Sequence, residues 1–167
     1  MLVSRTVMAL RHVVSTLTLE QATAIATRAI AAGRRERMLP LAVVVVDAGG
    51  QIVTVQRDDG CGTLRVRIAQ GKARGALGMG IPSRTIRDRL QNRPAFQSAV
   101  ATASQGQFIP VPGGVLILDG QGRASGAVGI SGDTSDRDEY CAIEGIKAAG
   151  LGCDPPEPAS DWRESAL

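Results

Sequence analysis

Leu19, Ala22, Ile25, Ala26, Ala29 and Ile30 recur at helical spacing along one face, which predicts an amphipathic helix. Thr18 stands at its cap position with Gln21 three residues on, the pair that makes a capping box. Gly33 is the expected stop, and Arg34 to Arg37 read as a solvated turn. After Pro40 the pattern changes: Leu41 to Val46 is an unbroken apolar run, expected of a strand covered on both faces and therefore central. Asp47-Ala48-Gly49-Gly50 then turns the chain into Gln51 to Gln56, where alternation predicts the return strand of a hairpin.

Beyond the polar loop Asp58 to Gly62, a helix is expected from Thr63 to Met79, crowded with Ala69, Gly71, Ala73, Gly75, Ala76 and Gly78. Each interior glycine costs about 1 kcal/mol relative to alanine, so a close backbone or a bound ligand should compensate. Short helices follow from Pro82-Ser83 to Leu90 and from Pro94, a residue suited to a first helical position, to Ala103. Val115 to Leu118 and Ala124 to Ser131, joined by Asp119-Gly120-Gln121-Gly122, predict a second hairpin. A last helix runs from Asp136 to Ala149, with Ser135 as cap and Gly150 as stop. Pro155, Pro156 and Pro158 mark an extended tail, on which Trp162 is expected to dock against a neighbouring subunit. Helix, hairpin, helices, hairpin, helix specifies an α+β domain with an antiparallel sheet. The boundaries are an arm 1–16, a domain 17–151 and a tail 152–167.

The 167 residues fit one domain, and an apolar fraction of 44% with only 2% aromatic calls for a core of small aliphatic side chains. Net charge is +3, and 17 of the 19 basic residues are arginine, seven of them between Arg65 and Arg93. Such a cluster suits carboxylates, phosphates or intersubunit ion pairs. Acidic residues nearly balance it and stacking aromatics are scarce, which argues against nucleic acid as partner. Three cysteines without a CxxC spacing indicate neither a disulfide frame nor a metal site, and the chain reads as cytoplasmic. The segment from Met1 to Val14 is too broken for a signal sequence or a membrane span. P-loop, GxGxxG, HExxH and nucleophile-elbow patterns are lacking, which sets aside nucleotide hydrolysis and metalloproteolysis.

Leu17-Thr18-Leu19-Glu20-Gln21-Ala22, Val45-Val46-Asp47-Ala48-Gly49-Gly50, Ile68-Ala69-Gln70-Gly71-Lys72-Ala73, Pro112-Gly113-Gly114-Val115, Gly126 to Gly132 and Asp138-Glu139 stand in one order. In these motifs, spanning Leu17 to Leu151, the chain resembles the GlcG/HbpS family, which also supplies the C-terminal domain of PduO-type proteins. The resemblance implies a profilin-like α+β fold with a five-stranded antiparallel sheet flanked by helices. It also implies homo-oligomers (octamer or tetramer), catabolic operons and, in some members, haem as a ligand. His12, Cys61 and Tyr140 are the side chains that would ligate the iron. His12 equally reads as a surface residue on an arm, and Cys61 as either a reactive or an inert buried thiol.

The remaining chemistry gathers in Lys72, Asp133 and Glu139 as candidate catalytic groups, with Gly113, Gly114, Ser131, Gly132 and Arg74 as candidate ligand contacts. If the glycine-rich segments meet the Lys72 helix, an anion would sit on their amides with Lys72 as countercharge while Asp133 or Glu139 moved a proton. Two functions fit: a binding protein for haem or a small anionic ligand, or an isomerase, hydrolase or deaminase acting on a small carboxylated catabolite. Against both, the glycines also read as plain turns, Asp138 and Glu139 as dipole-favoured residues of a helix start, and Lys72 as one half of an intersubunit ion pair.

Overall fold

The structure, a computed structural model, describes residues 11–166. Helix α1 (Leu19–Arg35) is followed by the hairpin β1 (Ala42–Asp47) and β2 (Ile52–Arg57). Three helices, α2 (Arg65–Met79), α3 (Ser83–Leu90) and α4 (Pro94–Ala103), lead to the hairpin β3 (Gly114–Leu118) and β4 (Ala124–Ser131). Helix α5 (Ser135–Ala148) and the short β5 (Gly152–Asp154) end the fold. The five strands form one antiparallel sheet in the order β2-β1-β4-β3-β5. It is the α+β, five-stranded arrangement that the resemblance implies.

Both hairpins use one device. Asp47 Oδ1 accepts from the amides of Gly49 and Gln51, and Asp119 Oδ1 accepts from those of Gln121 and Arg123, so each aspartate closes its own turn. Along β1, Val43 and Val45 face α1 and α5, whereas Val44 and Val46 face α2. The unbroken apolar run thus reflects burial on both faces. The central strand is nevertheless β4, with β1 beside it.

Glycines decide how closely the helices approach. A Cβ on Gly129 would overlap the Ala69 carbonyl, and one on Gly114 the Lys72 carbonyl, so α2 lies with its backbone directly on β3 and β4. Within α2, a Cβ on Gly71 would come 2.8 Å from Ile109 Cγ1 and one on Gly75 3.2 Å from Phe108 Cδ2. Gly33 is not the stop of α1. It sits inside the helix, where a Cβ would lie 2.6 Å from Leu41 Cδ1, and the chain leaves the helix through Glu36 and Arg37, which has φ +55. The Thr18–Gln21 capping box forms as the spacing predicts. Helix α5 is capped by Thr134, one residue before the expected Ser135, and its Thr134 side chain makes no capping hydrogen bond.

The C-terminal segment differs most from its sequence reading. Gly152–Asp154 joins the edge of the sheet beside β3, because a three-residue strand carries too little alternation to stand out. Trp162 docks on its own chain: its ring stacks on Tyr140 with centroids 3.8 Å apart and planes 11° apart.

Gly129→Ala should therefore lower the unfolding free energy by at least the roughly 1 to 3 kcal/mol typical of overpacking. Gly78, whose Cβ position is open space, should behave oppositely. Gly78→Ala should stabilise by up to about 1 kcal/mol, read in parallel urea titrations.

Candidate functional site

The sheet end where β3 begins and β4 stops is closed by charge. Lys72 from α2 and Asp138 from α5, on opposite faces of the sheet, meet there at 2.8 Å with side-chain exposures of 2% and 1%. Gly113, at φ +112, leaves the room: a Cβ on it would lie 3.0 Å from Lys72 Nζ and 3.1 Å from Asp138 Cβ. Asp138 Oδ1 also accepts from the amide of Asp133. Burial pushes the Asp138 carboxyl up to about 6, although Lys72 pulls the other way.

The sequence-predicted residues do come together here, yet most of their polar atoms are already engaged. The Gly114 amide donates to Ser83 Oγ at 2.8 Å, and the Gly113 carbonyl accepts from Ile130. Asp133 Oδ2 accepts from Leu39 N and Oδ1 from Thr134 N, each at 2.8 Å. Ser131 is fully buried and its Oγ accepts from Arg65. A Cβ on Gly132 would overlap the Pro40 carbonyl. Arg74 points elsewhere, its Nε donating to the Gly50 carbonyl at 2.8 Å. In place of a vacant glycine-lined cradle, the structure has a packed ionic layer.

Glu139 is the exception. Its side chain is wholly buried, and both carboxylate oxygens lack a hydrogen-bond donor. Arg84 on α3 lies 3.3 Å from Oε2 without hydrogen-bond alignment. Burial dominates and raises the carboxyl from the ordinary 4.5 to about 7, with Arg84 opposing. Adjacent positions on a helix point about 100° apart, so Asp138 turns to Lys72 while Glu139 turns to α3. Sequence reading offered Glu139 as a proton carrier or, with Asp138, as a residue of a helix start, and gave Lys72 no partner within the chain. Ser83 and Arg84 were missed, because a helix-start serine and one arginine among many carry no signal of what they face.

The three side chains considered for iron differ in access. Cys61 is buried, and burial raises its thiol despite Arg65 and Arg57. Tyr140 lies beneath Trp162, and burial raises its hydroxyl as well. His12 is exposed and its ring makes no hydrogen bond among the described residues. The arm that carries it is moored close by, where Thr16 Oγ1 accepts from the amide of Ala48 at 3.0 Å.

A five-stranded antiparallel sheet between helices, closed at one end by buried charge, defines a small α+β domain. The chain belongs to the HbpS-like family, described as haem degrading proteins, whose pattern matches residues 17–147. Three solved structures are similar. HbpS is 27% identical with a TM-score of 0.68, over 83% of this chain and 92% of that one. Klebsiella pneumoniae protein ORFY is 25% identical with a TM-score of 0.72, over 87% and 98%. A PduOC:haem complex, at 23% identity, shares the fold with a TM-score of 0.73 over 83% and 98%. A search of curated proteins gives no match. Among the described residues no helix is long and apolar enough to cross a membrane.

Removing one partner of the buried pair leaves the other charged and alone. Lys72→Met should cost about 3 to 5 kcal/mol in urea unfolding, and Lys72→Met with Asp138→Leu should recover most of it. Because folding raises the Glu139 pKa, its contribution to stability is intact below about 4.5 and is lost as pH rises through about 7. The loss should be on the order of 3 kcal/mol. Glu139→Gln should flatten that slope when unfolding midpoints are followed from pH 4 to 8.

Proposed function

We propose that this chain is a small-ligand-binding protein of the HbpS type, a cytoplasmic homo-oligomer (octamer or tetramer) whose ligand is haem. The family match over 17–147 carries the reading, and the 27% identity to HbpS supports it. Haem would bring an iron that takes an axial ligand from the protein. Of the three candidate ligands His12 is the exposed one, Cys61 being buried and Tyr140 half-buried under the Trp162 ring.

The enzyme reading needs Lys72 to meet a substrate anion. That ammonium is instead bound to Asp138 and shielded from solvent, and Asp133 is spent on two backbone amides. Ligand binding is therefore the reading the geometry favours.

Haemin titrated into the purified chain should give a saturable Soret shift. His12→Ala should abolish or displace it, and Cys61→Ala and Tyr140→Phe should leave it unchanged. A wild-type chain that produces no shift would remove the haem reading.

A further inference from the structure

Gly78 is the glycine of α2 that packing does not explain. Gly71 and Gly75 make room for Ile109 and Phe108, but a Cβ on Gly78 would meet nothing within 4 Å. Its backbone does not require glycine either, since it lies inside a regular helix and outside the positive-φ set. An alanine there would favour the helix by about 1 kcal/mol, so the fold alone gives no reason for the missing side chain.

The space over Gly78 is the floor of a groove between the C-terminal half of α2, the β1–β2 turn and the end of α4. Its polar part, about 400 Å³, is lined by Gly50, Arg74, Gly78, Ser104 and Gln107. Its apolar part, about 260 Å³, continues past Gly78 to Met79, Val100 and Phe108. Arg74, Gly78, Ser104 and Gln107 line both parts, so the two are continuous.

Arg74 gives the groove its sign. The bond from Nε to the Gly50 carbonyl holds the guanidinium in place, and among the described residues no carboxylate forms an ion pair with it. Gln107 lines both parts of the groove, and its carboxamide N–H groups are of the kind that donate to an anion. A positioned guanidinium with its outer N–H groups uncommitted takes a carboxylate in a forked geometry. The apolar part exceeds the roughly 150 Å³ that accommodates a benzene ring, so one ring or a short alkyl chain fills it.

We propose that this groove is a binding site for a small amphiphilic monocarboxylate. The carboxylate lies on Arg74 beside Gln107, and the apolar body crosses Gly78 toward Met79 and Val100. Gly78 is a glycine because the ligand occupies the place of its side chain. The site is separate from the Lys72–Asp138 layer and does not depend on haem binding, which has its own optical readout.

The test is titration of the full-length, ¹⁵N-labelled chain with phenylacetate, and with phenylacetamide as its uncharged counterpart. Phenylacetate should shift the amides of Gly50 and Gly78 and the side-chain amide of Gln107, with a Kd on the order of 1 mM for a ligand of this size. Phenylacetamide should bind about tenfold or more weakly. Gly78→Leu, which builds into open space and leaves the rest of the spectrum in place, should weaken phenylacetate at least about tenfold, and Arg74→Gln should do the same. Absence of saturable shifts at these positions would overturn the proposal, as would equal binding of acid and amide, or wild-type affinity in both variants.

Discussion

The depth at which α2 rests on the sheet governs the rest of the structure. The helix carbonyls of Ala69 and Lys72 lie where Gly129 and Gly114 would carry side chains, so layer spacing is set by backbone rather than by interdigitated side chains. This is how a core almost free of aromatic residues closes without voids: small residues bring main chains together. The same depth fixes Lys72. If α2 stood away from the sheet by the width of a methyl group, its ammonium would not reach Asp138 on the opposite face. A packing constraint written in glycine thus positions a deeply buried ion pair.

The arginines between Arg65 and Arg93 acquire a different meaning in that setting. Arg65 donates to Ser131, Arg74 to the Gly50 carbonyl, and Arg84 and Arg87 face Glu139 and Asp136 on α5. Four of the seven are directed at acceptors of their own chain, so the cluster largely fastens α2 and α3 to the sheet and to α5. A buried pair such as Lys72–Asp138 adds little net stability, because desolvation offsets the attraction, whereas losing one member is costly. It therefore constrains geometry more than it raises stability. Glu139 departs from the pattern as a carboxyl with an adjacent cation and no donor, and burial raises it further toward neutrality than Asp138.

Periodicity made the helices and four of the strands legible in the sequence, because amphipathic repeats and apolar runs follow from which faces are buried. Turn chemistry at Asp47 and Asp119 fixed both hairpins for the same reason. What a glycine is small for could not be read. Gly33, Gly71, Gly75, Gly114 and Gly129 all accommodate neighbours, and those neighbours lie far along the chain or across the sheet. Glycine-rich segments at a sheet end accordingly read as a pocket, where the structure has contact. The three residues of β5 and the stack of Trp162 on Tyr140 were hidden because each depends on a partner remote in sequence.

The family match spans residues 17–147, and the chain on either side of it is fastened to the domain by different contacts. Past residue 147, β5 adds a strand beside β3, and Trp162 covers Tyr140. Arg163 then sits over the indole, 4.3 Å from its centroid, and reaches Glu36 just past the end of α1 at 3.3 Å. The tail thereby straps the outer face of α5 to the end of α1, on the side of the sheet away from α2. On the other side of the matched region, the arm with His12 is tied by Thr16 to the turn that borders the Arg74 groove. One terminus thus reinforces the frame by stacking on the half-buried Tyr140, while the other carries the exposed His12 four residues before its tie at Thr16. The division follows from chemistry: a stacked indole and a guanidinium lying over it keep water from one face of Tyr140, whereas the exposed imidazole of His12 stays open to a ligand.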